Sequence, residues 1–130
     1  MPVTYAGLSA VVYAKDLDRV GAFYAAVLDI AVPARDGSYL LLESGAGHLV
    51  VLEMPAPLAR DIAVTDPPER RTDTAVKLVF PVDSIARVRG VADSLGGTVD
   101  SERHEWRFQD TRVCDGHDPE GNVIQLREPL

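Results

Sequence analysis

The charged side chain most exposed to chemistry by its surroundings is Lys77. It lies in Ala75 to Val82 (AVKLVFPV), where strand alternation places it on one face with Val79 and Pro81. An ammonium among apolar neighbours can act as a base, an imine-forming amine or an anchor for an anion. The plainer expectation is simple anion anchoring or an ion pair, with Glu53 the nearest carboxylate on the same surface. Tyr13, Glu53 and Lys77 are the groups that could share acid-base work. In the closing stretch Val123-Ile124-Gln125-Leu126-Arg127, Val123, Gln125 and Arg127 share a face, a mixture suited to a pocket wall. Glu53 and Arg127 either pair with each other or mark the polar rim of that pocket. Trp106 and Phe108 alternate with Arg107, so both point the same way; they line a groove for a planar ligand or pack in the core.

The histidines are His48, His104 and His117, and none stands at a standard metal-ligand spacing. His104, Glu105 and His117 make the one unconventional grouping; loop or surface positions are the simpler reading. His48 is expected on the helix-facing side of its strand. Cys114 has no histidine near it in sequence and reads as a small buried residue. Gly45-Ala46-Gly47 is a hairpin turn rather than a phosphate cradle, because no helix follows it. No Ser-His-Asp order or nucleotide fingerprint is present.

These side chains need elements to hold them. Leu8 to Ala14 (LSAVVYA) reads as a strand, with Leu8, Ala10, Val12 and Ala14 on one face and Ser9, Val11 and Tyr13 on the other. Asp16 offers an N-cap, and Val20, Phe23, Tyr24, Val27 and Leu28 form one helical stripe, which predicts a helix over 17–28. Strands are expected at 30–33, 39–43 and 48–53. The second half repeats the order: a strand over 75–82, a cap at Ser84 or Asp83, and a helix over 84–95 ended by Gly96-Gly97. A short strand at 98–100, an interrupted strand or pair of arms at 105–108 and 111–114, and a last strand over 122–128 follow. Asp118-Pro119-Glu120-Gly121 is the tight turn that opens the last strand. Between the halves, residues 55–74 carry Pro55, Pro57, Pro67 and Pro68 and read as a connector with one short helical turn near 58–61.

The repeat is visible in the numbering. Leu17 and Ile85 open the two helical stripes at an offset of 68 (85 − 17). The closing strands align as Gly47 to Glu53 with Gly121 to Arg127 at an offset of 74 (121 − 47). A repeat of this length fixes the architecture. It predicts an α+β fold of two βαβββ modules, about 4–54 and 75–130, forming a cupped mixed sheet around a cleft with the helices on the outer face. The 130 residues suit one such domain, burying roughly two thirds of the unfolded surface. A net charge of −7 argues against nucleic acid and anionic membranes as partners. One cysteine permits no intrachain disulfide, and Met1-Pro2-Val3 opens directly into a strand-like segment; the expectation is a cytosolic protein with no signal peptide or membrane span.

Val11-Val12-Tyr13-Ala14-Lys15-Asp16-Leu17-Asp18-Arg19 with Phe23-Tyr24, and Asp118-Pro119-Glu120-Gly121-Asn122, together resemble the vicinal oxygen chelate superfamily, which includes glyoxalase I, extradiol dioxygenases and bleomycin-resistance proteins. The resemblance spans nearly the whole chain. It implies paired modules and commonly a homodimer. Metal-dependent members place His or Glu ligands on the first and last strands of each module, and the equivalent positions here are Ser9, Val51, Lys77 and Gln125. A valine and an ammonium ligate no divalent metal. The expectation is therefore a metal-independent, cofactor-free binder of a small organic molecule, drug sequestration being one version. The expected contacts are Ser9, Val11, Tyr13, Val51, Glu53, Lys77, Val79, Trp106, Phe108, Val123, Gln125 and Arg127, and a flat compound bearing a negative group suits them. The alternatives are a glyoxalase-like lyase or isomerase using Lys77, Glu53 or Tyr13 or an unrecognised metal site, and a regulatory dimer with a vestigial pocket.

Overall fold

A computed structural model describes residues 7–45 and 47–130; the expectations for the first six residues, and for Ala46 in its turn, lie outside the described residues. Strand β1 (Leu8–Ala14) runs into helix α1 (Leu17–Leu28), followed by β2 (Tyr39–Ser44) and β3 (Gly47–Glu53). The connector holds α2 (Ala56–Asp61). Then come β4 (Leu78–Pro81), α3 (Ile85–Ala92), β5 (Thr98–Val99), β6 (Trp106–Phe108), β7 (Thr111–His117) and β8 (Val123–Pro129). The caps are as the sequence indicates. The Asp16 carboxylate accepts the Arg19 N–H at 3.1 Å, and Ser84, rather than Asp83, accepts the Arg87 N–H at 3.1 Å. Asp83 instead pairs with the Arg87 guanidinium at 3.0 Å.

The repeat is present as two sheets. The first module forms β1-β3-β2, with β1 parallel to β3; the second forms β4-β8-β7-β5, with β4 parallel to β8 and β6 added to β7. Both sheets turn one face to the helices. Val12, Leu40 and Val51 lie in one cross-strand row and are buried against α1. Gly21 permits this close packing: a Cβ there would stand 2.2 Å from Leu40 Cδ1. Phe80, Ile124 and Leu126 are buried on the same side of the second sheet and join the same core. The helices meet, and Arg87 crosses from α3 to donate to the Ala26 and Val27 carbonyls at 2.7 and 3.3 Å. That satisfies free carbonyls in the last turn of α1.

Two expectations change. Residues 30–33 form no strand, so the first sheet has three strands. The β4 strand begins at Leu78, which leaves Lys77 just before it. Of the two readings of 105–108 and 111–114, the pair of arms holds: they form a hairpin with Trp106 opposite Val113.

The two family-like motifs bind each other. Asp118 is fully buried and accepts from Tyr24 Oη (2.7 Å), Asn122 Nδ2 (2.8 Å), and the Glu120 and Asn122 N–H groups (2.8 and 3.0 Å). Burial and the adjacent Asp118 carboxylate push the Tyr24 hydroxyl well above its usual range, so it remains a donor. Glu120 accepts the backbone N–H groups of Lys15 and Asp16 at 2.9 and 2.8 Å. The turn of the second module therefore closes the β1–α1 corner of the first. Gly121 is required where the connector passes: its φ is +87°, and a Cβ would meet the Glu69 carbonyl oxygen at 2.0 Å.

Candidate functional site

Among the described residues, the faces turned away from the helices are only partly covered, and they carry most of the residues singled out in the sequence. On β1, Val11 and Tyr13 are about half exposed. Cross-strand partners continue the face as Val11–Val50–Leu41 and Tyr13–Leu52–Tyr39. His48 belongs to this inner face, in a row with Ser9 and Glu43, and not to the helix side.

Val51 and Glu53 do not belong to it. Val51 has no exposed surface and packs in the helix-facing core. Glu53 lies beyond the sheet's inner surface, where its carboxylate pairs with Arg35 at 3.3 Å. The cause is a one-residue slip in the repeat alignment. Leu49 and Val51 are helix-facing like Ile124 and Leu126, which sets the offset at 75 (124 − 49) rather than 74. A slip of one residue reverses every side chain of a strand. Val50 is therefore the structural counterpart of Gln125, and Glu53 is not the counterpart of Arg127.

The inner face of the second module holds a connected polar chain. Lys77 Nζ donates to Asp115 Oδ2 at 2.8 Å, Gln125 Nε2 to Asp115 Oδ1 at 3.3 Å, and Arg127 Nε to Gln125 Oε1 at 2.9 Å. The Arg127 guanidinium lies over the Phe108 ring at 4.6 Å. Lys77 thus has a carboxylate partner, as the plainer expectation held, but the partner is Asp115 and not Glu53. Trp106 and Phe108, 42% and 45% exposed, flank this chain rather than packing in the core.

A cavity of about 370 Å³ lies between the modules, with Val11 and Tyr13 from β1, Leu58 and Ile62 from the α2 region, and Val123 from β8 among its walls. An adjoining space of about 340 Å³ shares Arg71, Thr74, Val76 and Val123 with it and reaches Lys77 and Asp115. Together they form one groove, largely apolar with charge at one end. A separate space of about 310 Å³ between the β1 and β4 edges takes Ser9, His48 and Val79. Trp106, Phe108 and Arg127 form an open platform outside both, over the buried Gln125. The connector wall is held by Arg70, whose guanidinium clasps Asp100 at 2.7 and 3.2 Å and donates from Nε to His117 Nδ1 at 2.9 Å. Burial, then the Arg70 charge, lowers the His117 pKa. His104 and Glu105 do not join His117; Glu105 pairs with Arg89 and Arg112 instead. Cys114 is buried, as expected, with its thiol pKa raised by burial.

Arg71, Asp115 and the apolar connector residues were not singled out in the sequence. Asp115 could have been found from parity, since it shares a face with Gln125 across β7 and β8. Arg71 had no such signal, because it lies in a proline-broken segment.

A family model described as a glyoxalase-like domain matches residues 9–127. This chain belongs to the glyoxalase-like family. The match bears out the resemblance to the vicinal oxygen chelate superfamily read from the sequence. A glyoxalase/bleomycin resistance protein from Albidiferax ferrireducens T118 is similar with a TM-score of 0.66 and 22% identity, over 94% of this chain and 97% of that one. A glyoxalase/bleomycin resistance protein/dioxygenase family enzyme from Burkholderia phytofirmans PsJN gives 0.66 and 18%, over 94% and 97%. A lactoylglutathione lyase from Agrobacterium tumefaciens gives 0.55 and 23%, over 95% and 92%. At these identities the likeness is one of fold. No curated protein sequence matches the chain.

The superfamily's name implies a metal, and the residues of this glyoxalase-like domain do not fit one. With the register corrected, the four strand positions hold Ser9, Val50, Lys77 and Gln125. Lys77 places an ammonium where a ligand would have to donate a lone pair, and Val50 has no donor atom. Among the described residues, no three His, Cys, Asp or Glu side chains gather into a metal-binding group.

Proposed function

We propose that this glyoxalase-like domain binds a small organic molecule in its inter-module groove without a divalent metal, and that it does so as a homodimer. The observation that carries this reading is the Lys77–Asp115–Gln125 chain. It fills two of the four strand positions that the superfamily resemblance gives to metal ligands with Lys77 and Gln125, both donating to the Asp115 carboxylate. A largely apolar groove with a few fixed polar groups is the usual form of a small-molecule site. Sequestration of a drug-like compound is one use of such a groove, in keeping with the bleomycin-resistance names among its structural neighbours. An acid-base enzyme is less well supported, because Glu53 lies off the inner face and the Lys77 charge is already matched by Asp115.

Metal analysis tests the first part. Protein dialysed against zinc, nickel or manganese and then desalted should retain well under one equivalent of any of them. Stoichiometric retention that disappears in Gln125→Ala would overturn the metal-free reading. Calorimetric screening of small organic compounds tests binding, and recovery of each hit unchanged after incubation separates binding from turnover.

A further inference from the structure

We infer that the groove takes an amphipathic carboxylate, and that Arg71 reads its charge. The inference rests on the small-molecule reading above and names the class of molecule.

The argument begins with the arginines that are neither buried nor fully exposed: Arg19, Arg70, Arg71, Arg87, Arg89 and Arg127. Four pair with a carboxylate, namely Asp66, Asp100, Asp83 and Glu105 in turn. Among the described residues, Arg71 and Arg127 have no carboxylate within ion-pair distance. Arg127 has substitutes, since it stacks on Phe108 and donates to Gln125. Arg71 has only a main-chain carbonyl: its Nε donates to Glu120 O at 3.2 Å. A chain of net charge −7 does not lack carboxylates. A partly desolvated guanidinium without one is unfavourable unless something else supplies the negative charge.

Its geometry is that of a fixed reader. The Arg71 N–H donates to Gly121 O at 2.8 Å, so the backbone is tied to the Asp118–Asn122 turn, and the Nε bond fixes the plane of the guanidinium. The terminal nitrogens Nη1 and Nη2 carry no hydrogen bond among the described residues. Arg71 lines both halves of the groove. A guanidinium held this way offers paired N–H donors to a carboxylate. Lys77, at the far end, is neutralised by Asp115 at 2.8 Å. The groove therefore has one unmatched positive charge, which one carboxylate balances and a phosphate dianion exceeds. Beside it stand Val11, Tyr13, Leu58, Ile62, Val76 and Val123, an apolar wall for the body of the molecule. A volume near 370 Å³ falls in the range that holds small ligands.

The test uses ω-phenylalkanoates of increasing chain length and their matching primary amides, titrated by calorimetry into the whole protein at low salt. The best carboxylate should bind at least about tenfold more tightly than its amide, the gain expected of a charge-assisted hydrogen bond. Arg71→Met should erase that difference, the carboxylate losing far more affinity than the amide. Arg71→Lys should restore part of it. Arg127→Met should leave it intact, and unchanged melting temperatures would show that each variant folds. Equal affinities for acid and amide in the unsubstituted protein would overturn the carboxylate inference while the small-molecule reading stood. A preference that survives Arg71→Met, or one abolished by Arg127→Met, would overturn the role of Arg71. If no acid or amide binds, both the inference and the groove reading fall.

Discussion

His117 and Arg70 show how one hydrogen bond can make stability depend on pH. Nδ1 of His117 accepts from the Arg70 guanidinium, which requires the neutral ring. Protonation would put two cations in contact, with only Asp100 and Asp118 to offset them. Burial first, and then the Arg70 charge, depress the folded-state pKa below its unfolded value of about 6.5. The sign follows from linkage. Between those two values the unfolded chain binds more protons than the folded one, so stability falls as pH falls. The contribution is complete above the unfolded pKa and is lost as pH descends toward the folded one. Urea unfolding at intervals from pH 7.5 to 5.5 should show the midpoint dropping below about pH 6.5. His117→Gln should flatten that slope, and an equal slope in the variant would assign the effect to other groups.

At the scale of elements, one of the contacts that tie the modules together is the Glu120 carboxylate on the Lys15 and Asp16 N–H groups. Glu120 is 5% exposed, so water offers little replacement. Glu120→Gln sets an amide NH₂ against one of those N–H groups and should cost about 1–3 kcal/mol in denaturant unfolding. A cost near zero would show that the corner holds itself. The element pattern was legible in sequence wherever periodicity spoke: β1, α1 and the offset of 68 all stand. The Asp118 turn was legible as a turn, but not as a clamp, since a clamp is a long-range contact. What misled was glycine. Gly47 and Gly121 were aligned as equals, yet Gly47 lies within β3 while Gly121 is in the turn before β8. That shifted Val51 and Glu53 into the site and left Val50 out. The carboxylate that pairs with Lys77 was misassigned for the same reason. Arg71 was hidden because its role depends on what the connector folds against, and a proline-broken stretch has no period to read.

For the whole molecule, the inner faces are the feature that asks for a partner. Leu41, Val79, Trp106 and Phe108 are each more than a third exposed on the faces turned from the helices. Among the described residues, the outer strands β2 and β6 also have unpaired edges. Light scattering after size exclusion should give twice the chain mass of 14.1 kDa at micromolar concentration. Trp106→Glu with Phe108→Glu should shift it to the monomer, and a monomeric unsubstituted protein would remove the homodimer from the proposal. The Glu120 clamp also bears on how the chain is made. Its two partners stand at the start of the first module, and Glu120 is 105 and 104 residues downstream of them. At synthesis rates of about 5–20 residues per second, Lys15 leaves the peptidyl-transferase centre roughly 5–20 s before Glu120 is added. Through that interval the β1–α1 corner has exposed N–H groups, and Tyr24 lacks its Asp118 acceptor. The first half of the nascent chain must therefore wait for the second before its β1–α1 corner can close.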